Sequence, residues 1–227
     1  MLVFSYGIPK SGSTLAFELA RAVAWLGGHR QRKLPATLLP GDHEVNFAQE
    51  LVPEVLRSLA ALAEGRICVV KTHACPGPDW VAEYRALAAR GLVSVHVNHR
   101  DPRDICLSLL DAGRLARRRG KQPFSEFVTL EDAVARVRLY LAELAVWNGL
   151  PRRLDLHYHD CAFSTDRAIE AIKADLGIDC PNWPARLWAT RLAYTHRNKA
   201  LPNRHLSELT PAQAEWLAGE FAAWLPA

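Results

Sequence analysis

Residues 2 to 14 read Leu2-Val3-Phe4-Ser5-Tyr6-Gly7-Ile8-Pro9-Lys10-Ser11-Gly12-Ser13-Thr14, and Leu15, Phe17, Leu19, Ala22 and Trp25 then recur at helical spacing. An apolar run, a turn of small residues and an amphipathic stretch predict a strand, a tight turn and the start of a helix. Backbone N–H groups converge at such a junction and the helix dipole favours negative charge there, so the turn suits a phosphate-like anion. Lys10 adds a full positive charge. The expected anion site is therefore Lys10, Ser11, Gly12, Ser13 and Thr14. The same residues also suit an ordinary turn with Ser13 as helix N-cap. A Walker A loop places its Lys directly after the last Gly, whereas here Lys10 precedes Gly12.

Outward from this junction, two kinds of segment alternate. The patterns predict strands over Leu2–Tyr6, Ile67–Lys71, Leu92–Asn98 and Leu154–His159. They predict helices over Thr14–Leu26, Asn46–Ala63, Trp80–Arg90, Arg103–Leu115, Leu130–Trp147, Thr165–Leu176, Ala185–Tyr194 and Pro211–Trp224. Thr210-Pro211 marks the start of the last helix, with Thr as N-cap and Pro at the first helical position. This alternation predicts an α/β fold, a single domain over residues 1–227 with a mostly parallel central sheet flanked by helices. In such sheets ligands bind beyond the carboxyl ends of the strands.

Composition narrows the class. The 227 residues are 49% apolar and 23% charged, the balance of an ordinary globular domain. Arg, Glu or His interrupts each of the longest apolar stretches, which argues against a membrane span. With a core strand at the start, no cleavable leader is expected ahead of it. A net charge of +4 suits an anionic small molecule better than nucleic acid. Cys68, Cys75, Cys106, Cys161 and Cys180 are odd in number and contain no CxxC pair. Reduced thiols and a cytoplasmic location follow as expectations. Cys68 and Cys106 fall in apolar patterns and are expected in the core.

Two further motifs stand at the ends of predicted strands. Lys71-Thr72-His73 follows Ile67-Cys68-Val69-Val70. Lys can neutralise an anionic transition state, and His is suited to take a proton near neutral pH. Arg100-Asp101-Pro102-Arg103-Asp104-Ile105-Cys106-Leu107-Ser108 follows the strand through Val97. If Pro102 opens a helix, Ser108 lies about two turns in, and Arg100 and Ser108 can grip one phosphate. Asp101, Arg103 and Asp104 also suit simple charge pairing at a helix start.

In that order, Lys-Ser-Gly-Ser-Thr, Lys-Thr-His and Arg-x-Pro-x-Asp-x-x-x-Ser resemble the cytosolic-type sulfotransferases that use 3′-phosphoadenosine 5′-phosphosulfate (PAPS). The resemblance implies a P-loop-like sulfotransferase fold and an enzyme that moves a sulfuryl group from PAPS to a hydroxyl or amine of a small-molecule acceptor. It implies that Lys10, Ser11, Gly12, Ser13 and Thr14 bind the 5′-phosphosulfate, that Lys10 and Lys71 stabilise the transferring group, and that His73 is the base. Arg100 and Ser108 would bind the 3′-phosphate. His157-Tyr158-His159-Asp160 stands where the family has Tyr-Glu-Asp, which makes Tyr158 the adenine contact. Arg197-Asn198-Lys199-Ala200-Leu201-Pro202-Asn203-Arg204-His205 resembles the family's Arg-Lys-Gly-x-x-Gly-Asp-Trp loop. There Lys199 matches and Arg197 can supply a guanidinium, while Asn198, Ala200, Asn203 and His205 depart from the pattern. The likeness runs from Leu2 to Leu209, with its specificity in the first three motifs.

Two rivals make different demands. A P-loop nucleotide kinase needs Gly-Lys-Ser/Thr and an acidic Mg²⁺ ligand after a strand, and neither pattern is found. A non-catalytic nucleotide-binding protein would not need both Lys71 and His73. No metal is expected, since two lysines can do a metal's work on the less charged sulfuryl group. His157, His159 and Cys161 would share a strand face and could suggest a metal, but no clear fourth ligand accompanies them. Arg117-Arg118-Arg119 reads as a solvated helix end, with a lid as the sharper alternative. His43 and Glu44 lie in a loop rich in Pro and Gly. Trp25, Trp80, Trp147 and Trp188 read as helix-borne core residues, and Trp183 as one that can reach a pocket.

Overall fold

The computed structural model describes residues 1–41, 45–193 and 199–225. Its strands are β1 (Leu2–Gly7), β2 (Phe47–Ala48), β3 (Cys68–Thr72), β4 (Val93–His99) and β5 (Arg153–His157). They form an all-parallel sheet in the order β2-β3-β1-β4-β5. The helices are α1 (Ser13–Leu26), α2 (Pro53–Leu62), α3 (Pro78–Ala89), α4 (Pro102–Arg118), α5 (Leu130–Asn148), α6 (Tyr158–Phe163), α7 (Thr165–Leu176), α8 (Asn182–Leu187), α9 (His205–Glu208) and α10 (Pro211–Glu220). A π-helical turn, Trp188–Leu192, follows α8.

β1 is central and buried along its whole length, Ser5 included, because both faces of the sheet are covered. Leu2, Phe4 and Tyr6 point into one core with α2, α3, α4, α5 and α10. Val3 points into the other, built on α1, α6, α7 and α8. From β1 the chain first moves to one side of the sheet and then crosses to β4 on the other. Ligands bind beyond the carboxyl end of a strand where connections diverge in this way. An aromatic cluster supports that end: Tyr6 stacks on Trp147 at 4.6 Å, and Trp80 meets Phe4 edge-on at 5.3 Å. Trp147 Nε1 also donates to Ala74 O at 3.1 Å, which pins the chain just beyond His73.

The α/β class, the parallel sheet and its flanking helices agree with the sequence reading, and several boundaries differ. The helix expected over Asn46–Ala63 is a short edge strand and then a shorter helix. Val52 is extended ahead of Pro53, as a residue before proline prefers, and the helix begins at the proline. Upstream, Phe47 and Ala48 pair with Lys71 and Thr72. The last strand ends at His157, and Tyr158 and His159 open α6 instead. His157, His159 and Cys161 therefore do not alternate along one strand face. Cys161 is buried, with Sγ 3.9 Å from Asn98 Oδ1. Ser13 makes no side-chain cap to α1, and Gly12 takes the cap position. Thr210 and Pro211 do start a helix, with Gln213 completing a reciprocal cap. Cys68 and Cys106 are buried, as are Trp80 and Trp147, but Trp25 is 55% and Trp188 36% exposed. Both lie near the end of α1, where the sheet no longer covers them. Among the described residues no helix is long and apolar enough to cross a membrane.

Candidate active site

The site is built on three neighbouring strand ends, β3, β1 and β4. After β1 the chain turns sharply twice. Lys10 adopts φ +70° and Gly12 φ +89°, both in the left-handed region. The turn is closed by Ser11 N to Ile8 O at 3.1 Å, and α1 starts with Leu15 N to Gly12 O at 2.9 Å. The amides of Ser13 and Thr14 precede that first helical bond and form the helix's positive end. Gly7 must be small, because a Cβ there would lie 2.8 Å from both Ser11 Oγ and Ser13 Cβ.

Asn98, near the end of β4, fixes the turn from below. Its Nδ2 donates to Ser11 O at 2.7 Å and lies 3.2 Å from Ser11 Oγ. Arg100 fixes it from the side, donating from Nη1 to Lys10 O at 2.9 Å. The Arg100 guanidinium also stacks over the ring of Tyr158 at 4.2 Å and lies 3.9 Å from Asp104 Oδ2. From β3, Lys71 Nζ donates to Thr14 Oγ1 at 2.8 Å. His73 Nδ1 lies 2.5 Å from Gly7 O, and its ring meets Phe47 edge-on at 5.5 Å.

Electrostatics follow from this crowding. Burial, then the Arg100 charge, lowers the Lys10 ammonium from its ordinary value, with Asp111 acting the other way. Burial brings Lys71 down to about 8 against the opposing pull of Glu18. Burial is also the main cause that brings His73 down to about 4; Lys71 acts in the same sense and the Gly7 hydrogen bond opposes. Near neutral pH His73 is thus uncharged beside Lys71.

A cavity of about 470 Å³ opens over these groups. Lys10, Gly12, Ser13, Thr14, His73, Arg100, Ser108 and Tyr158 all line it. Lys71 joins through Thr14 rather than by lining the wall, and Ser11 is fully buried beneath the turn. Lys199 stands apart. Its Nζ donates to Glu208 Oε2 at 3.0 Å and lies 3.8 Å from Asp111, while its neighbour Ala200 lines the cavity. Arg197 and His43 lie outside the described residues. Arg117 donates to Ser125 O and Phe127 O at 2.8 and 2.9 Å. It thereby holds the α4–α5 loop that places Phe124 5.3 Å from Lys10 Nζ. Among the described residues no group of three or more His, Cys, Asp or Glu side chains is arranged to hold a metal.

Several residues at the site escaped the sequence reading. Leu15, Phe124, Ala162, Thr190 and Arg191 line the cavity. Asn98 carried a signal, as a polar residue ending an apolar strand two positions before Arg100. Arg204 carried none. It is buried, with Nη2 donating to Asp111 Oδ2 at 2.6 Å and Nε to Glu208 Oε1 at 2.8 Å. Together with His205, which donates from its backbone N to Asp104 Oδ1 at 2.9 Å, it clamps the segment after Lys199 onto α4.

No protein-family model matches the sequence, and no curated protein matches it significantly. Solved structures do match. The mouse sulfotransferase SULT7A1 complexed with PAP is 14% identical with a TM-score of 0.58, over 98% of this chain and 83% of that one. The sulfotransferase domain from the curacin biosynthetic pathway is 15% identical with a TM-score of 0.56, over 99% of this chain and 98% of that one. The likeness is one of fold: the chain shares the α/β architecture of these two solved structures.

Proposed function

We propose that this chain is a PAPS-dependent sulfotransferase acting on a hydroxyl or amine of a small-molecule acceptor. The observation that carries the reading is the single cavity on which Lys10, Ser13 and Thr14, the Arg100–Ser108 pair, and His73 converge. The first set meets the demands of a 5′-phosphosulfate, through helix-start amides and a lysine. The second supplies a guanidinium and a hydroxyl for a second phosphate. The fold of SULT7A1, solved with PAP, supports a nucleotide of this kind.

The same cavity is also lined by Leu15, Tyr158, Ala162, Thr190 and Arg191, a mixed surface suited to adenine. The acceptor enters beside His73 and Phe124. Its oxygen or nitrogen attacks sulfur in line with the bridging oxygen of the 5′-phosphate. The new bond to sulfur forms as the sulfur–oxygen bond to the nucleotide breaks, and the acceptor's proton passes to His73 Nε2. Lys10 and Lys71 offset charge on the transferring sulfuryl group and on the leaving phosphate. Five unpaired thiols fit a reducing, cytoplasmic setting.

Two measurements test the reading. Adenosine 3′,5′-bisphosphate should raise the thermal midpoint far more than ATP at equal concentration. Labelled sulfate from PAPS should then reach at least one acceptor among phenols, sugars, steroids, amines and peptide natural products. Equal or greater stabilisation by ATP–Mg²⁺ would favour a kinase instead.

A further inference from the structure

α1 carries an acid inside its apolar stripe. Glu18 lies between Phe17 and Leu19 and is only 4% exposed. A buried carboxylate is costly unless it is paired and hydrogen-bonded, and this one is held from two sides. Arg21 Nη1 donates to Oε1 at 2.8 Å, and Trp188 Nε1 donates to Oε2 at 3.0 Å. Neither partner belongs to the motifs that form the site.

What Glu18 faces follows from its position. It is four residues beyond Thr14, one turn along the same helix face. Thr14 in turn receives the Lys71 ammonium. The groups around that ammonium come from every neighbouring element: Thr14 and Glu18 from α1, with Arg21 paired to Glu18, His73 just beyond its own strand, Ser5 alongside on β1, and the ring of Phe47 on β2 at 6.0 Å. Glu18 brings the negative charge to this set. Removed from water, Lys71 would otherwise tend to lose its proton, and the Glu18 charge acts against that loss.

Trp188 extends the connection. It begins the π-helical turn Trp188–Leu192, and Thr190 and Arg191 of the same turn line the cavity. One carboxylate therefore stands a helix turn from the Thr14–Lys71 pair and bonds to the turn whose Thr190 and Arg191 line the cavity.

We propose that Glu18 is a positioning residue of the transfer site: its carboxylate is the counter-charge that keeps Lys71 cationic against Thr14, and through the Trp188 indole it holds the turn that walls the nucleotide end of the cavity. The consequence for turnover rests on the sulfotransferase reading. The charge coupling does not.

Glu18→Gln keeps the volume and removes the charge. In the full chain labelled with ¹³C-lysine, the Lys71 signal, assigned by its loss in Lys71→Arg, is titrated by NMR from neutral to alkaline pH. Its midpoint should fall by about one pH unit in Glu18→Gln. An unchanged midpoint overturns the coupling. With PAPS and an acceptor, the alkaline limb of the kcat profile should move down by the same amount. A merely structural loss would instead lower turnover equally at every pH and leave the limb where it is. A midpoint that moves in a chain without transfer activity supports the coupling and refutes the activity. Trp188→Phe keeps the test open if Glu18→Gln fails to fold. It leaves the Glu18 charge in place and should weaken adenosine 3′,5′-bisphosphate binding by on the order of three- to tenfold. Unaltered affinity there overturns the role assigned to the wall.

Discussion

His73 Nδ1 lies 2.5 Å from the carbonyl oxygen of Gly7, the last residue of the central strand. A carbonyl only accepts, so Nδ1 carries the proton and Nε2 keeps the lone pair. The strand thus sets the tautomer as well as the position of the proposed base. Trp147 secures the next link of the chain through Ala74 O. His73→Ala should leave adenosine 3′,5′-bisphosphate affinity nearly intact and lower turnover by roughly 10²–10⁴, the usual span for a general base. An acceptor whose pKa lies well above the assay pH is needed, because an ionised phenol needs little help. Near wild-type turnover on such an acceptor would move the base elsewhere, with His43 the next to test.

Arg100 has two tasks in the proposed mechanism. It lines the cavity where the second phosphate would sit, and it supports the first phosphate loop through Lys10 O. Arg100→Ala should weaken adenosine 3′,5′-bisphosphate binding by about 1.5–3 kcal/mol, the cost of a charge-assisted contact. Arg100→Lys should recover little, since an ammonium cannot both reach the carbonyl and stack flat on Tyr158. Calorimetric affinities of the three proteins decide the matter, and equal values would remove the 3′-phosphate assignment.

The sheet and the turn that follows β1 were legible because they depend on local sequence. An apolar run followed by Gly, Pro, Lys and small residues allows few backbone paths, and β1 with its turn takes the expected one. Lys71, His73 and Arg100 were placed by the rule that strand ends converge. What escaped depends on distant parts of the chain. Phe47 and Ala48 become a strand only because β3 offers them an edge. Arg204 is buried only because Asp111 and Glu208 arrive from two other segments. Lys199 matched a loop pattern by order, yet those same two acids engage its ammonium. Glu18 drew no reading from the sequence, because its partner Trp188 lies 170 positions away.

Acid should weaken the fold through His73. Its folded-state pKa, about 4, is lowered from the ordinary 6.5. The unfolded chain therefore takes up this proton first as pH falls. The stabilising contribution is complete above the unfolded value and is lost between it and the folded one, at no more than about 1.4 kcal/mol per pH unit. Glu208 acts in the same direction at lower pH, since Arg204 and then Lys199 hold its carboxyl at about 2. Urea denaturation across this range should give a falling stability for the wild type and a flatter curve for His73→Gln. Parallel curves would mean that His73 is protonated without penalty in the folded protein.

Gly12 meets two constraints that can be separated. Its φ of +89° is in the left-handed region, and a Cβ placed there would lie 2.4 Å from Tyr158 Cδ2. The first constraint costs any L-residue roughly 1–2 kcal/mol. The second forces the Tyr158 ring to swing, and that ring carries the Arg100 guanidinium at 4.2 Å. Gly12→Ala should therefore lower the thermal midpoint and weaken adenosine 3′,5′-bisphosphate binding together. Adding Tyr158→Ala removes the collision and leaves the backbone strain. The double variant should be more stable than the sum of the single effects predicts, by more than the ~0.5 kcal/mol within which independent sites add. Its nucleotide affinity should stay low, because Arg100 has lost its stacking partner. Strict additivity in stability would show that the Tyr158 ring does not press on the turn, and the packing argument for glycine at this position would fail.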